Sequence, residues 1–166
     1  IAWNPTVVTI MLGMNDAGYQ PFRQDIFNKY DKGIRHIVKT LDDSLPGVRQ
    51  TLIRPSAYDD VTRPPRYEGG YNGVLVRFGD GVEVIAKETN HEVANLNTDL
   101  VEALTNAKEK NADLSTKIIV DRIHPGAAGG LIMAGSLLKS WNASPIVSEV
   151  TIADAKGKPS IVAAVN

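Results

Sequence analysis

A chain of 166 residues, 43% hydrophobic and 22% charged, has the length and balance of one ordinary globular domain, which excludes disordered, collagenous and coiled-coil architectures. With 18 Lys and Arg against 19 Asp and Glu, it carries no field that would gather nucleic acid or an anionic membrane, so a small-molecule partner is expected. The lack of Cys removes disulfides, thiolate catalysis and zinc-cysteine sites, and no apolar run approaches the roughly 20 residues that span a bilayer.

Residues 6–12 (TVVTIML) are a nearly continuous, β-branched run halted by Gly13, which predicts a parallel strand covered on both faces. Strand pattern this close to Ile1 leaves no room for a signal peptide within the chain. After the turn GMNDAGY, the positions Ile26, Tyr30, Ile34, Ile37, Val38 and Leu41 recur at spacings of three and four, predicting an amphipathic helix over 21–45 that Pro46 and Gly47 end. Residues 48–53 (VRQTLI) predict a second strand. Residues 55–72 read as a long loop, a place where function often resides, with Tyr58, Tyr67 and Tyr71 able to line a site. Val74, Phe78, Val82 and Ile85 predict a helix despite Gly73, Gly79 and Gly81, each of which costs about 1 kcal/mol relative to Ala.

Residues 92–96 (EVANL) predict a brief strand, and Thr98 an N-cap with a helix behind it. Residues 118–120 predict one more strand before DRIHPGAAGG and a closing helix whose stripe is Leu131, Ala134, Leu137, Leu138 and Trp141. The alternation argues for an α/β domain over 1–142 with a parallel sheet. Residues 143–166 differ: PIVSEVTI and PSIVAAV flank the turn-like AKGK, so a terminal β-hairpin, or the stub of a following domain, is expected.

In open α/β sheets ligands bind beyond the carboxyl ends of the strands. That rule selects Gly13 to Asp16, the loop after Pro55, and the segment holding Asp121 and His124. Pro125 suits the first position of the closing helix, which places His124 on a turn at the helix mouth. There the partial positive charge of the helix end disfavours an imidazolium, and Asp121 can offset it by accepting a hydrogen bond from one ring nitrogen. The other nitrogen is then free to take a proton. A surface or capping histidine is the competing reading. His36 and His91 show no ligand spacing with His124, so no metal is expected. Asn15 can donate to an oxyanion, worth about 2.7 to 4 kcal/mol in a transition state, while Gly13 admits close approach. Alternatively Asn15 and Asp16 simply form an Asx turn. A nucleotide-binding domain is disfavoured, because no GxGxxG or P-loop follows a strand.

Gly13-Met14-Asn15-Asp16 after a strand, with Asp121-Arg122-Ile123-His124-Pro125 before a final helix, resembles blocks III and V of the SGNH (GDSL) hydrolases over roughly residues 6–142. The resemblance implies a flavodoxin-like α/β/α sandwich and ester hydrolysis by a Ser-His-Asp triad without a cofactor. It implies His124 as general base, Asp121 as its orienting carboxylate and Asn15 as an oxyanion donor. The substrate would be a small-molecule or carbohydrate ester, in a secreted or periplasmic protein. The family's Gly-Asp-Ser block and its second glycine block are absent from the chain. The nucleophile is therefore expected upstream of Ile1, with Ser56 as a poorly supported internal substitute. One of the strands that carry those blocks would lie beside residues 6–12, so its absence leaves an apolar edge open to another chain or to a homo-oligomer. A non-catalytic ligand- or partner-binding remnant of the same fold is the alternative.

Overall fold

In a computed structural model, the described residues are 2–146, 148–153 and 159–165. Three parallel strands, β1 (Val7–Met11), β2 (Arg49–Ile53) and β3 (Glu92–Ala94), lie in the order β1-β2-β3. Val7 pairs with Arg49 and Met11 with Ile53; Thr51 pairs with Glu92 and Ile53 with Ala94. The helices are α1 (Gln24–Ser44), α2 (Gly70–Thr89), α3 (Leu96–Lys110), the single turn α4 (Ala112–Ser115) and α5 (Ala127–Ser140).

The central strand explains the layering. Successive side chains of a strand point to opposite faces. Leu52 packs with Ile34 and Val38 of α1 and with Val74, Phe78 and Val82 of α2, and Gln50, on the same face, donates to the Val38 carbonyl at 3.1 Å. Ile53 points the other way, against Ala94, Leu96 and the α5 residues Met133 and Leu137. Thr51 shares that face and accepts from the Trp141 indole at 2.9 Å. The result is an α/β/α sandwich, with α1 and α2 on one side and α3 and α5 on the other.

Several expectations need correction. β1 is covered on one face only: Ile10 packs toward α1 and α2, but Val7 and Met11 are 41% and 40% exposed, and Leu12 beyond them 44%. The helices of the second face pack over β2 and β3 and stop short of β1. Residues 118–120 join no sheet; Ile119 makes an isolated antiparallel bridge to Pro125 instead. Asn95, not Thr98, caps α3, its side chain accepting from the Thr98 amide at 3.2 Å. Pro125 precedes the cap residue Gly126, so it stands outside α5 and not at its first position. The stripe expected on α5 is also displaced, since Leu131 and Leu138 are exposed while Ile132, Met133 and Leu137 pack inward. The tail forms an antiparallel pair, β4 (Ser148–Ala153) with β5 (Pro159–Val165); the AKGK turn expected between them lies outside the described residues. Among the described residues no helix is long and apolar enough to cross a membrane.

Candidate active site

The loop after β1 is held by tyrosine hydroxyls. Tyr30 donates to the Leu12 carbonyl at 3.1 Å, Tyr71 to that of Met14 and Tyr67 to that of Gln20 at 2.8 Å. Burial raises the pKa of each of these hydroxyls, that of Tyr71 to about 12, so all three remain donors at neutral pH. Gly13 sits at φ 122°, and a Cβ there would come within 2.6 Å of the Pro55 ring, so glycine is needed for both conformation and space. Asp16 closes the turn by accepting from the Gly13 amide at 2.9 Å.

Asn15 is exposed and accepts, through Oδ1, the hydroxyl of Tyr19 at 2.6 Å. With its carbonyl oxygen engaged, the amide nitrogen of Asn15 is left as a donor. Tyr19, which the motifs do not single out, is the partner that orients Asn15. Its ring stacks on Tyr71 at 4.9 Å and lies 6.2 Å from that of Tyr58, while its proton is held more tightly by burial and then by the charges of Tyr58 and Asp121. Tyr58 and Tyr71 are themselves buried. They pack beneath the rim and do not line an open site, whereas the half-buried Tyr67 lines a cavity of about 270 Å3 with Pro21, Phe22 and Arg77.

Asp121 and His124 form a pair. The ring Nδ1 lies 2.6 Å from Asp121 Oδ2, and Asp121 Oδ1 accepts the amides of Ile123 at 3.0 Å and His124 at 2.8 Å. The imidazole contact and then these two N–H groups hold the Asp121 carboxyl well below the usual carboxylate range. An ionised Asp121 selects the tautomer with the proton on Nδ1, which leaves Nε2 as acceptor. The side chains of His124 and Asp121 are 78% and 53% exposed.

Asn15 and Tyr19 are linked to the dyad loop along one rim through Tyr58, buried beneath it. The Tyr58 ring, next to that of Tyr19, carries the Arg122 guanidinium at 5.8 Å, and Arg122 lies between Asp121 and His124 in sequence. Ser56 is buried and lines a cleft of about 110 Å3 with Gly13, Asn15 and Asp16. Neither His124 nor Asp121 lines that cleft, and among the described residues no hydrogen bond joins Ser56 to His124. Among the same residues no group of three His, Asp or Glu side chains is arranged to hold a metal ion.

Comparison with known proteins follows the same line. No curated protein sequence matches the chain significantly. Among solved structures, it is similar to Axe2, an acetylxylan esterase from Geobacillus stearothermophilus, at 25% identity and a TM-score of 0.63, over 84% of this chain and 60% of that one. A catalytic mutant of Axe2 with a serine replaced by alanine is similar at 25% identity and a TM-score of 0.61, over 84% and 60%. LAE5, an alpha/beta hydrolase from the metagenome of Lake Arreo, Spain, shares the fold at 20% identity and a TM-score of 0.66, over 86% and 62%. The chain thus spans about 60% of the length of these structures. Residues 1–130 match the GDSL-like Lipase/Acylhydrolase family, and with the match extending over most of its length the chain belongs to that family.

Proposed function

We propose that the chain supplies the base and oxyanion side of a carboxylic-ester hydrolase. The observation that carries the reading is the 2.6 Å contact between His124 Nδ1 and Asp121, which leaves Nε2 as the free acceptor. In the reaction a serine hydroxyl attacks the acyl carbon and passes its proton to His124 Nε2. Asp121 stabilises the imidazolium without taking the proton. The tetrahedral oxyanion accepts the Asn15 amide N–H, with Gly13 leaving room for its approach. Collapse expels the alcohol, protonated by the imidazolium; a water molecule then repeats the sequence to release the acid and regenerate the serine. Acyl or acetyl esters, including those of carbohydrates, are the substrate class, supported by the similarity to Axe2. A polymeric substrate of that kind would be met outside the cytoplasm, in keeping with a secreted or periplasmic protein.

The nucleophile is the serine of a segment that pairs with β1, which stands at the edge of the sheet. A second copy of the chain on that edge is the other occupant, and a monodisperse monomer by light scattering argues against it. A non-catalytic ligand- or partner-binding role of the same fold is the second reading, favoured by the wide exposure of both dyad side chains. Short-chain p-nitrophenyl esters separate the readings. In the protein carrying its serine-bearing segment, His124→Ala abolishes turnover if the dyad acts, whereas equal, measurable rates remove it from the mechanism. Labelling with a fluorophosphonate and peptide mass spectrometry then identifies the serine. A modified Ser56 would overturn its assignment to the segment beyond β1.

A further inference from the structure

The dyad loop has no sheet strand beneath it. Two of its backbone contacts are internal, from the Val120 amide to the His124 carbonyl at 3.1 Å and from the Gly126 amide to the Ile118 carbonyl at 2.9 Å. Its connection to the rest of the rim comes from the loop that follows β2. Arg63 donates through Nη1 to the Ile119 carbonyl at 3.1 Å and through Nη2 to that of Val120 at 2.8 Å. The second of these carbonyls belongs to the peptide group that leads into Asp121, so the guanidinium sets the plane from which the carboxylate springs. Beside it, the Asp59 amide donates to the Arg122 carbonyl at 2.9 Å.

Arg63 is itself held. Asp59 Oδ2 lies 2.5 Å from Arg63 Nη1, and the Asp59 side chain is fully buried, accepting in addition the amides of Val61 and Thr62 and the Thr62 hydroxyl. A buried carboxylate persists only when paired and hydrogen-bonded, which these contacts accomplish. One guanidinium meeting a carboxylate and two carbonyls uses the planar fork that a lysine ammonium cannot reproduce. Across the contact, Arg122 has a left-handed backbone at φ 78°, and its guanidinium donates to the Pro64 carbonyl at 3.1 Å while facing Asp60 at 3.5 Å.

We infer that Asp59 and Arg63 are positioning residues that fix the Asp121–His124 pair on the rim. The consequence for catalysis rests on the esterase reading above, but the positioning does not. Amide hydrogen exchange, read by NMR on the 15N-labelled chain, tests it directly. In Arg63→Ala, exchange at Ile123 and His124, whose amides Asp121 accepts, rises by at least about tenfold, while Leu52 and Phe78 in the core stay within about twofold. Arg63→Lys keeps a positive charge opposite Asp59 yet reproduces the local rise. Unchanged exchange at Ile123 and His124 overturns the inference. So does an even rise throughout the chain or loss of folding in both variants, since the pair would then be a general stabiliser. A chain without esterase activity whose exchange responds as described would sink the functional reading and leave the positioning intact.

Discussion

Gly79 provides a test of how side-chain packing reverses a helix propensity. Both Gly73 and Gly79 lie in α2, where glycine is about 0.8 to 1 kcal/mol worse than alanine. A Cβ at Gly73 meets nothing within 4 Å, so Gly73→Ala stabilises by up to about 1 kcal/mol. A Cβ at Gly79 would stand 2.5 Å from Arg54 Nε and 3.0 Å from Cζ. Arg54 cannot easily retreat: it is buried, donates to Asp80 at 2.7 Å and to the Val76 carbonyl at 3.1 Å, and is paired with Glu83. Displacing it weakens at least one charge-assisted bond, worth about 1.5 to 3 kcal/mol. The low end applies, because both carboxylates are substantially exposed. Overpacking adds about 1 to 3 kcal/mol. Set against the propensity gain, Gly79→Ala loses about 2 kcal/mol, a fall of about 1 M in the urea midpoint. Urea titration followed by circular dichroism, with equal slopes for all three proteins, measures it. A Gly79→Ala variant stabilised as much as Gly73→Ala would refute the packing argument and show that Arg54 moves freely.

The Asp121 carboxyl is depressed in the folded chain, so its contribution is present above the ordinary carboxylate pKa and is lost as pH falls through the depressed value. Its 13C carboxyl shift should titrate well below the ordinary carboxylate range, and Asp121→Asn should leave Ile123 and His124 amides exchanging faster at neutral pH. Tyr71 is raised to about 12, so the folded chain keeps a proton that the unfolded chain releases, and stability falls as pH climbs from the ordinary 10 toward 12. Tyr71→Phe should flatten that part of the urea-midpoint profile; an unchanged slope assigns the loss elsewhere. Tyr19→Phe frees the Asn15 carbonyl oxygen, and in an active esterase it should lower kcat by about tenfold with KM nearly constant, as expected for a donor that matters in the transition state. A change confined to KM would count against that role for Asn15.

The readability of the sequence follows the range of each contact. Leu52 and Ile53 announce a strand buried on both faces, and Val74, Phe78, Val82 and Ile85 keep their helical period through the glycines that obscure it. Gly79 and Gly81 are there to receive Arg54 and the Phe27 ring, and neither partner is near in sequence. The α5 stripe misleads for a related reason: Gly129 is buried against the Ile118 carbonyl, so a residue without a side chain marks the contact face. Asp121 and His124 can be paired by eye because three residues separate them. Tyr19, four residues after Asn15, leaves a weak signal of the same kind. Asp59 and Arg63 leave none, since Arg63 meets carbonyls 56 and 57 positions away, and main-chain acceptors have no sequence signature.

The two parts of the rim are therefore secured by different means. Gly13 and Asn15 hang from the end of β1, fixed by a backbone ladder and by tyrosine hydroxyls, whereas Asp121 and His124 sit on a loop outside the sheet, tied by three backbone bonds and by the Arg63 guanidinium. The exposure of His124 acts on the same pair. Water screens the attraction between a carboxylate and an imidazolium, and a less polar environment strengthens it. Covering the rim would strengthen the dyad with no change in its geometry, because loop conformation sets the short contact and the surroundings set its energy. A short Nδ1–Oδ2 distance in an exposed pair is thus no contradiction. On the esterase reading a bound substrate would supply that cover, and the exposed apolar residues at the end of β1 lie next to the loop that presents Asn15.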